Sequence, residues 1–164
     1  MGRELTDLSA QVGRALRENA LVLVTAESCT GGWVAEVVTA TAGSSGWFDR
    51  GLVTYSNAAK EELLGVAPET LHTDGAVSES AARQMATGAL RVSKADVALA
   101  ITGIAGPSGG TATKPVGTVF FAWCRRGIEP ITATQTFSGD RESVRRQSVL
   151  FALRRLIALL GASS

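Results

Sequence analysis

Histidine is nearly absent: His72 stands alone among 164 residues. The two cysteines, Cys29 and Cys124, form no CxxC pair and no metal-ligand cluster. A serine nucleophile ordinarily passes its proton to an imidazole. His72 lies in ETLHTDG, which reads as an exposed loop with nothing to tie it to a nucleophile. No run reaches the ~18 apolar residues of a membrane-spanning helix, and MGRELTDLSAQ lacks the apolar core of a secretory signal. The expectation is a cytoplasmic protein with no membrane partner, its cysteines kept as thiols. Charge of either sign is also scarce in excess: 16 Lys and Arg face 15 Asp and Glu, a formal net of +1. No basic stripe is present, so no nucleic-acid partner is expected. The cluster Arg145, Arg146, Arg154 and Arg155 reads as the solvated face of a helix.

What is present is an ordinary globular composition, 45% hydrophobic and 19% charged. One domain over residues 1–164 is expected. Leu5, Leu8, Val12 and Leu16 recur at helical spacing over residues 4–19. LVLVTA, residues 21–26, reads as a buried strand. A helix over 29–41 follows, with Ser28 near its N-cap. Leu52, Val53 and Tyr55 suggest a second strand, and a short helix over 57–65 is framed by Asn57 and Gly65. A Ser78-capped helix over 78–94, a strand over 96–103, a Gly-rich loop over 103–117, a strand pair about Arg126-Gly127 and a long terminal helix complete the chain. Strands alternating with helices predict a three-layer α/β/α sandwich with a mixed, mostly parallel sheet.

In open α/β sheets, ligands sit off the carboxyl ends of strands. Four polar turns lie at such places: 27–32, 55–60, 102–114 and 138–143. TAESCTGG places three candidate nucleophiles in a row. A Ser28 hydroxyl at a helix N-terminus would sit beside unpaired N–H groups able to hold an oxyanion or phosphate. Equally, Ser28 is a plain N-cap, with Gly31 and Gly32 there for helix–sheet packing. Cys29 is the stronger intrinsic nucleophile, but its side chain points elsewhere, into packing. Thr30 reads as first-turn packing and hydrogen bonding. Lys60, five residues after Tyr55, is either a surface lysine or, if desolvated, a base. GIAGPSGGTATK matches neither GxxxxGK[ST] nor GxGxxG. Lys114 either meets a phosphate or is solvated. Arg141 suits a planar anion or a surface pair with Asp140 or Glu142.

TAESCTGG, GLVTYSNAAKEELLGV, GAVSE, ITGIAGPSGG, KPVGTV and SGDR occur in this order between about Leu21 and Phe151. On these six motifs the chain resembles the CinA C-terminal-domain family, the PncC-like nicotinamide-nucleotide amidases, in its stand-alone form. The resemblance implies hydrolysis of a small-molecule nucleotide, nicotinamide mononucleotide, to nicotinic acid mononucleotide and ammonia. It also implies a Ser–Lys arrangement without metal or cofactor, in a homodimer or larger homo-oligomer. Carried onto matching positions, the catalytic residues are Ser28, Lys60, Tyr55, Arg141 and Thr102. Thr30, Gly31 and Gly32 are expected to border the substrate. Gly106, Gly109, Gly110 and Lys114 are expected to face the ribose phosphate. The helix starting at 29 would supply oxyanion donors, Tyr55 and Arg141 would keep Lys60 neutral or orient it, and Thr102 would bond substrate or a catalytic group. Two other functions stay open, a non-catalytic nucleotide-binding module and a serine hydrolase for another amide.

Overall fold

The computed structural model describes residues 1–162. The first apolar stripe behaves as its spacing predicts: α1 (Arg3–Glu18) buries Leu5, Leu8, Val12 and Leu16. Strands β1 (Leu23–Glu27), β2 (Phe48–Val53), β3 (Val97–Gly103), β4 (Thr118–Arg125) and β5 (Ile131–Thr136) form one sheet in the order β2-β1-β3-β4-β5. β1 runs parallel to β2 and β3, while the β3–β4 and β4–β5 pairs are antiparallel. Four strands therefore point the same way and β4 alone is reversed, which is the mixed, mostly parallel sheet expected.

Alternate strand residues face opposite layers. One face, carrying Leu23, Leu99, Ile101 and Phe121, packs with α1, α2 (Trp33–Thr39) and α6 (Arg141–Ala162). The other carries Val24, Ala26, Ala98, Ala100 and Ala122 against α5 (Glu79–Arg91), with α3 (Asn57–Leu64) and α4 (Pro68–Thr73) beside it. Alanines on both sides of that interface, including Ala82, Ala86 and Ala89, bring α5 close to the strands. Because β1 has a parallel neighbour on each side, the carboxyl ends of β1 and β3 form the switch point of the sheet.

Several boundaries move, each for a local reason. α2 begins at Trp33, not 29, because Gly31 (φ 59°) and Gly32 (φ 101°) adopt left-handed backbone that a right-handed helix cannot continue through. Ser28 is therefore not an N-cap. β2 starts at Phe48 and ends before Tyr55. Ser56, not Asn57, caps α3 by accepting from Ala59 N–H, whereas Ser78 caps α5 as expected. ETLHTDG is mostly helical: α4 opens with Pro68 at its first position. His72 is exposed on it. Among the described residues, no helix is long and apolar enough to cross a membrane.

Candidate active site

The site grows from the end of β1. Glu27 closes the strand opposite Val53 and Ile101, and Ser28 N–H still donates to Ile101 O at 3.0 Å. The chain then folds on itself: Gly31 N–H donates to Ser28 O and Trp33 N–H to Thr30 O, both at 3.0 Å. Glu27, only 1% exposed, turns its carboxylate under this loop. It accepts from Thr30 Oγ1 at 2.7 Å, Val34 N–H at 2.9 Å and Ala35 N–H at 3.1 Å. A buried anion at a helix N-terminus is stabilised by the dipole there, by up to ~2 kcal/mol in such settings. The Val34 and Ala35 amides, at the start of the helix as it forms, are therefore already engaged by Glu27. Glu27 was not singled out from the sequence. Its one signal is an acid closing an apolar strand just before a turn of small residues.

Lys60 meets Ser28 from the facing helix. In α3, Lys60 and Leu64 are one turn apart and both point inward. Lys60 is 1% exposed. Its Nζ donates to Thr54 O at 2.6 Å and to Ser28 Oγ at 2.9 Å. No carboxylate pairs with it among the described residues. Burial without a counter-charge penalises the ammonium, so the amine titrates below its ordinary 10.5. The neighbouring Cys29 thiol works weakly the other way. As a neutral amine, Lys60 would keep an N–H for Thr54 O and turn its lone pair to the serine proton. Tyr55 and Arg141, expected to keep Lys60 neutral, touch neither its Nζ nor its charge balance. Burial is what lowers the pKa of Lys60.

Tyr55 and Arg141 are partners of each other. Tyr55 is 61% exposed, and its hydroxyl accepts from Arg141 Nη2 at 2.7 Å. Arg141 Nη1 reaches back to Gly106 O at 2.7 Å, linking the turns after β2 and β3 to the start of α6. Thr102, buried on β3, donates to Ala76 O at 2.7 Å and so holds the segment before α5. Lys114 ties its loop to the same segment through Asp74 O and Val77 O, with its ammonium over the Phe120 ring. Its charge is thus engaged by carbonyls of a neighbouring loop, in a cleft lined by Asp74, Ser78 and Phe120. Gly109 and Gly110 lie exposed in that loop. Gly31 and Gly32 border a different cleft, with Trp33, Arg141 and Arg145.

Cys29, next to Ser28, is turned into the core. Its side chain is buried, and burial pushes its thiol up to about 11. In the basic cluster Arg154 and Arg155 are exposed, as a solvated helix face implies, while Arg145 departs from it. Arg146 and Arg154 pair with Glu4, and Arg155 lies over Trp123. Arg145 reaches the Ser28 turn, donating to Cys29 O at 3.1 Å and Thr30 O at 3.2 Å. Among the described residues, no three His, Cys, Asp or Glu side chains cluster as a metal site would need.

The chain is similar to known proteins along nearly its whole length. The CinA C-terminal domain profile matches residues 5–160. The nicotinamide-nucleotide amidohydrolase PncC of Escherichia coli (strain K12) is 56% identical over 153 residues, 93% of each chain. The protein of that name from Pseudomonas putida is 48% identical over 156 residues, 94% of this chain and 96% of its own. The crystal structure of competence/damage inducible protein CihA from Agrobacterium tumefaciens superposes with a TM-score of 0.93 at 45% identity, covering 97% of both chains. Fold and sequence thus agree, and the chain belongs to the CinA C-terminal domain family.

Proposed function

We propose that this chain hydrolyses the carboxamide of nicotinamide mononucleotide, giving nicotinic acid mononucleotide and ammonia. One observation carries the mechanism: a buried lysine without a carboxylate partner stands 2.9 Å from a serine hydroxyl at the switch point of the sheet. The substrate is supported by relatives named for that activity across nearly their whole length.

The steps follow from the charges. Neutral Lys60 takes the Ser28 proton as Oγ bonds to the amide carbon. The carbonyl oxygen becomes an oxyanion, which needs N–H donors placed in advance. Collapse of that intermediate breaks the C–N bond, and the leaving nitrogen takes a proton to depart as ammonia. Lys60, now charged, is one source of that proton. Tyr55 is the other, because its oxygen accepts from Arg141 while its own O–H stays free to donate. Water, activated by Lys60, then cleaves the acyl ester and frees Ser28. Thr102 shapes the wall through Ala76, since its own proton is already given.

A cytoplasmic setting suits two free, buried thiols. Assembly into a dimer or larger homo-oligomer would cover the exposed Val53 and Leu63 beside the lysine helix, and light scattering would report it. The function is tested by offering the mononucleotide, the riboside and free nicotinamide, and measuring ammonia and product mass. Ammonia with nicotinic acid mononucleotide is the expected result. Binding of the mononucleotide without ammonia would replace the proposal with a binding module. Turnover of unrelated amides alone would replace it with another serine hydrolase.

A further inference from the structure

An open cleft of about 560 Å³ is lined by Gly31, Gly32 and Trp33, from the turn after Ser28, and by Arg141 and Arg145 from α6. That is the size of a small-molecule site. Its placement follows from the chain. Gly31 N–H donates to Ser28 O at 3.0 Å, a turn that keeps the two α-carbons within about 7 Å. Arg141 bonds to the Tyr55 hydroxyl in the turn before the lysine helix. The cleft therefore opens beside the Ser28–Lys60 pair without including either residue.

Charge distinguishes this cleft. The two arginines are four residues apart, which sets them side by side on the helix. Among the described residues, neither lies within ion-pair distance of a carboxylate. Their partners are neutral: Gly106 O and the Tyr55 hydroxyl for Arg141, Cys29 O and Thr30 O for Arg145. These bonds, with the Trp33 ring centroid 5.3 Å from the Arg145 guanidinium, hold both groups without cancelling their charge. A guanidinium has five N–H donors, and Arg145 Nη1 has no acceptor among the described residues. The missing side chain at Gly31 keeps the approach clear, since a Cβ there would stand 3.6 Å from Arg145 Nη2. Two anchored guanidinium groups with donors to spare suit an anion with several oxygens. Glu36 and Glu142 also border the cleft, but both are exposed, so solvent screens them. The cleft around Lys114 suits an anion less. Lys114 gives its ammonium to Asp74 O and Val77 O, Arg83 is paired with Glu79 and Glu129, and Asp74 borders the same space.

We infer that the Arg141–Arg145 cleft is a phosphate subsite, which holds the phosphomonoester of the nucleotide while its carboxamide lies at Ser28. The pyridine ring and the ribose separate those two groups in nicotinamide mononucleotide, so they need anchor points that are neighbours and not the same. The inference rests on the proposed amide hydrolysis for its substrate, but phosphate recognition is measured separately from turnover.

The experiment compares nicotinamide mononucleotide with nicotinamide riboside, which lacks only the phosphate, in wild type, Arg145→Ala and Lys114→Gln. Ammonia release gives kcat and KM. Calorimetry gives Kd for both ligands on the same three proteins carrying Ser28→Ala, where no acyl transfer occurs. Wild type should prefer the nucleotide. Arg145→Ala should lose about 10- to 10²-fold of that preference, as expected for one charge-assisted contact, chiefly in KM. Arg145 also supports the Ser28 turn, but a slackened turn slows both substrates alike and leaves their ratio unchanged. Arg145→Lys keeps the charge without the planar fork and should keep part of the preference. If Arg145→Ala does not fold, Arg145→Lys and Arg145→Gln carry the comparison. An equal fall for both substrates, or a wild type without preference, overturns the inference. So does a preference lost in Lys114→Gln and kept in Arg145→Ala, which puts the phosphate at the loop that carries Lys114. If wild type releases no ammonia from either compound, the amidase reading fails and the Kd ratio decides alone. A tighter Kd for the nucleotide that Arg145→Ala abolishes upholds the subsite, and equal Kd values overturn it.

Discussion

Gly88→Ala is a one-methyl perturbation far from the chemistry that should reach it through a single helix. Gly88 lies in α5 where α3 crosses, and a Cβ added there would stand 1.9 Å from Leu64 O and 2.8 Å from Leu64 C. Ordinary contact begins near 3.4 Å, so the two backbones must part by about 1.5 Å. α5 is seated on β1, β3 and β4, whereas α3 rests on α5, so α3 is the element that gives. Parting also strains the bond from Arg91 to Leu64 O. Overpacking against backbone costs about 3 kcal/mol, and replacing a helical glycine returns about 1 kcal/mol. The net loss of about 2 kcal/mol corresponds to a melting temperature lower by roughly 4–8 °C. Leu64 closes α3 and Lys60 sits one turn before it, so the lysine moves with the helix. A displacement near 1 Å in a reacting group costs on the order of 10²-fold in rate. The assay pairs thermal unfolding with kcat measured well below the transition. Wild-type values of both would refute the packing argument. A lowered transition with unchanged kcat would refute the claim that α3, and not α5, yields.

Three further outcomes follow from the same geometry. The active form of Lys60 is the neutral amine, so activity should rise with pH through one inflection lying below the ordinary lysine 10.5. A profile flat between about pH 6 and 9 would remove Lys60 as base. Cys29 titrates near 11 in the fold against 9.0 ordinarily, so the folded state holds the proton more tightly. Its stabilisation is complete below pH 9 and is lost as pH rises towards 11, about 3 kcal/mol in all. Urea unfolding of Cys29→Ala should lack that share of the alkaline loss, and an equal slope in both proteins would contradict the burial assigned to the thiol. Glu27→Ala orphans Val34 N–H, Ala35 N–H and the Thr30 hydroxyl together. It should cost about 3 kcal/mol or more in denaturant unfolding, and a loss below about 1 kcal/mol would mean water replaces the carboxylate.

The sequence carried the parts of this site that are written in residue type. Ser28 and Lys60 stand in motifs whose order is specific, and one exposed histidine directed attention to lysine as base. The layers were legible because Leu5, Leu8, Val12 and Leu16, and the apolar runs of β1 and β3, keep clean periods. What stayed hidden depends on direction in space. Arg145 occupies a helical position that periodicity alone assigns to solvent. Only the crossing of α6 over the β1 turn brings it to Cys29 O and Thr30 O. Ser28, a good capping residue, points to a helix starting at 29. The left-handed Gly31 and Gly32 delay the helix instead, and Glu27 then fills the cap from below. For Lys114 charge alone leaves a phosphate and solvent equally open, and its carbonyl partners come from the distant segment 74–77.

The central claim is that Ser28, and not the adjacent thiol, attacks the carboxamide. Its most direct test is ammonia release from nicotinamide mononucleotide by wild type, Ser28→Ala and Cys29→Ala, with chelator present and folding of each variant verified. Release is expected from wild type and Cys29→Ala, with nearly none from Ser28→Ala. Release by Ser28→Ala at the wild-type rate, or a dead Cys29→Ala, would contradict it.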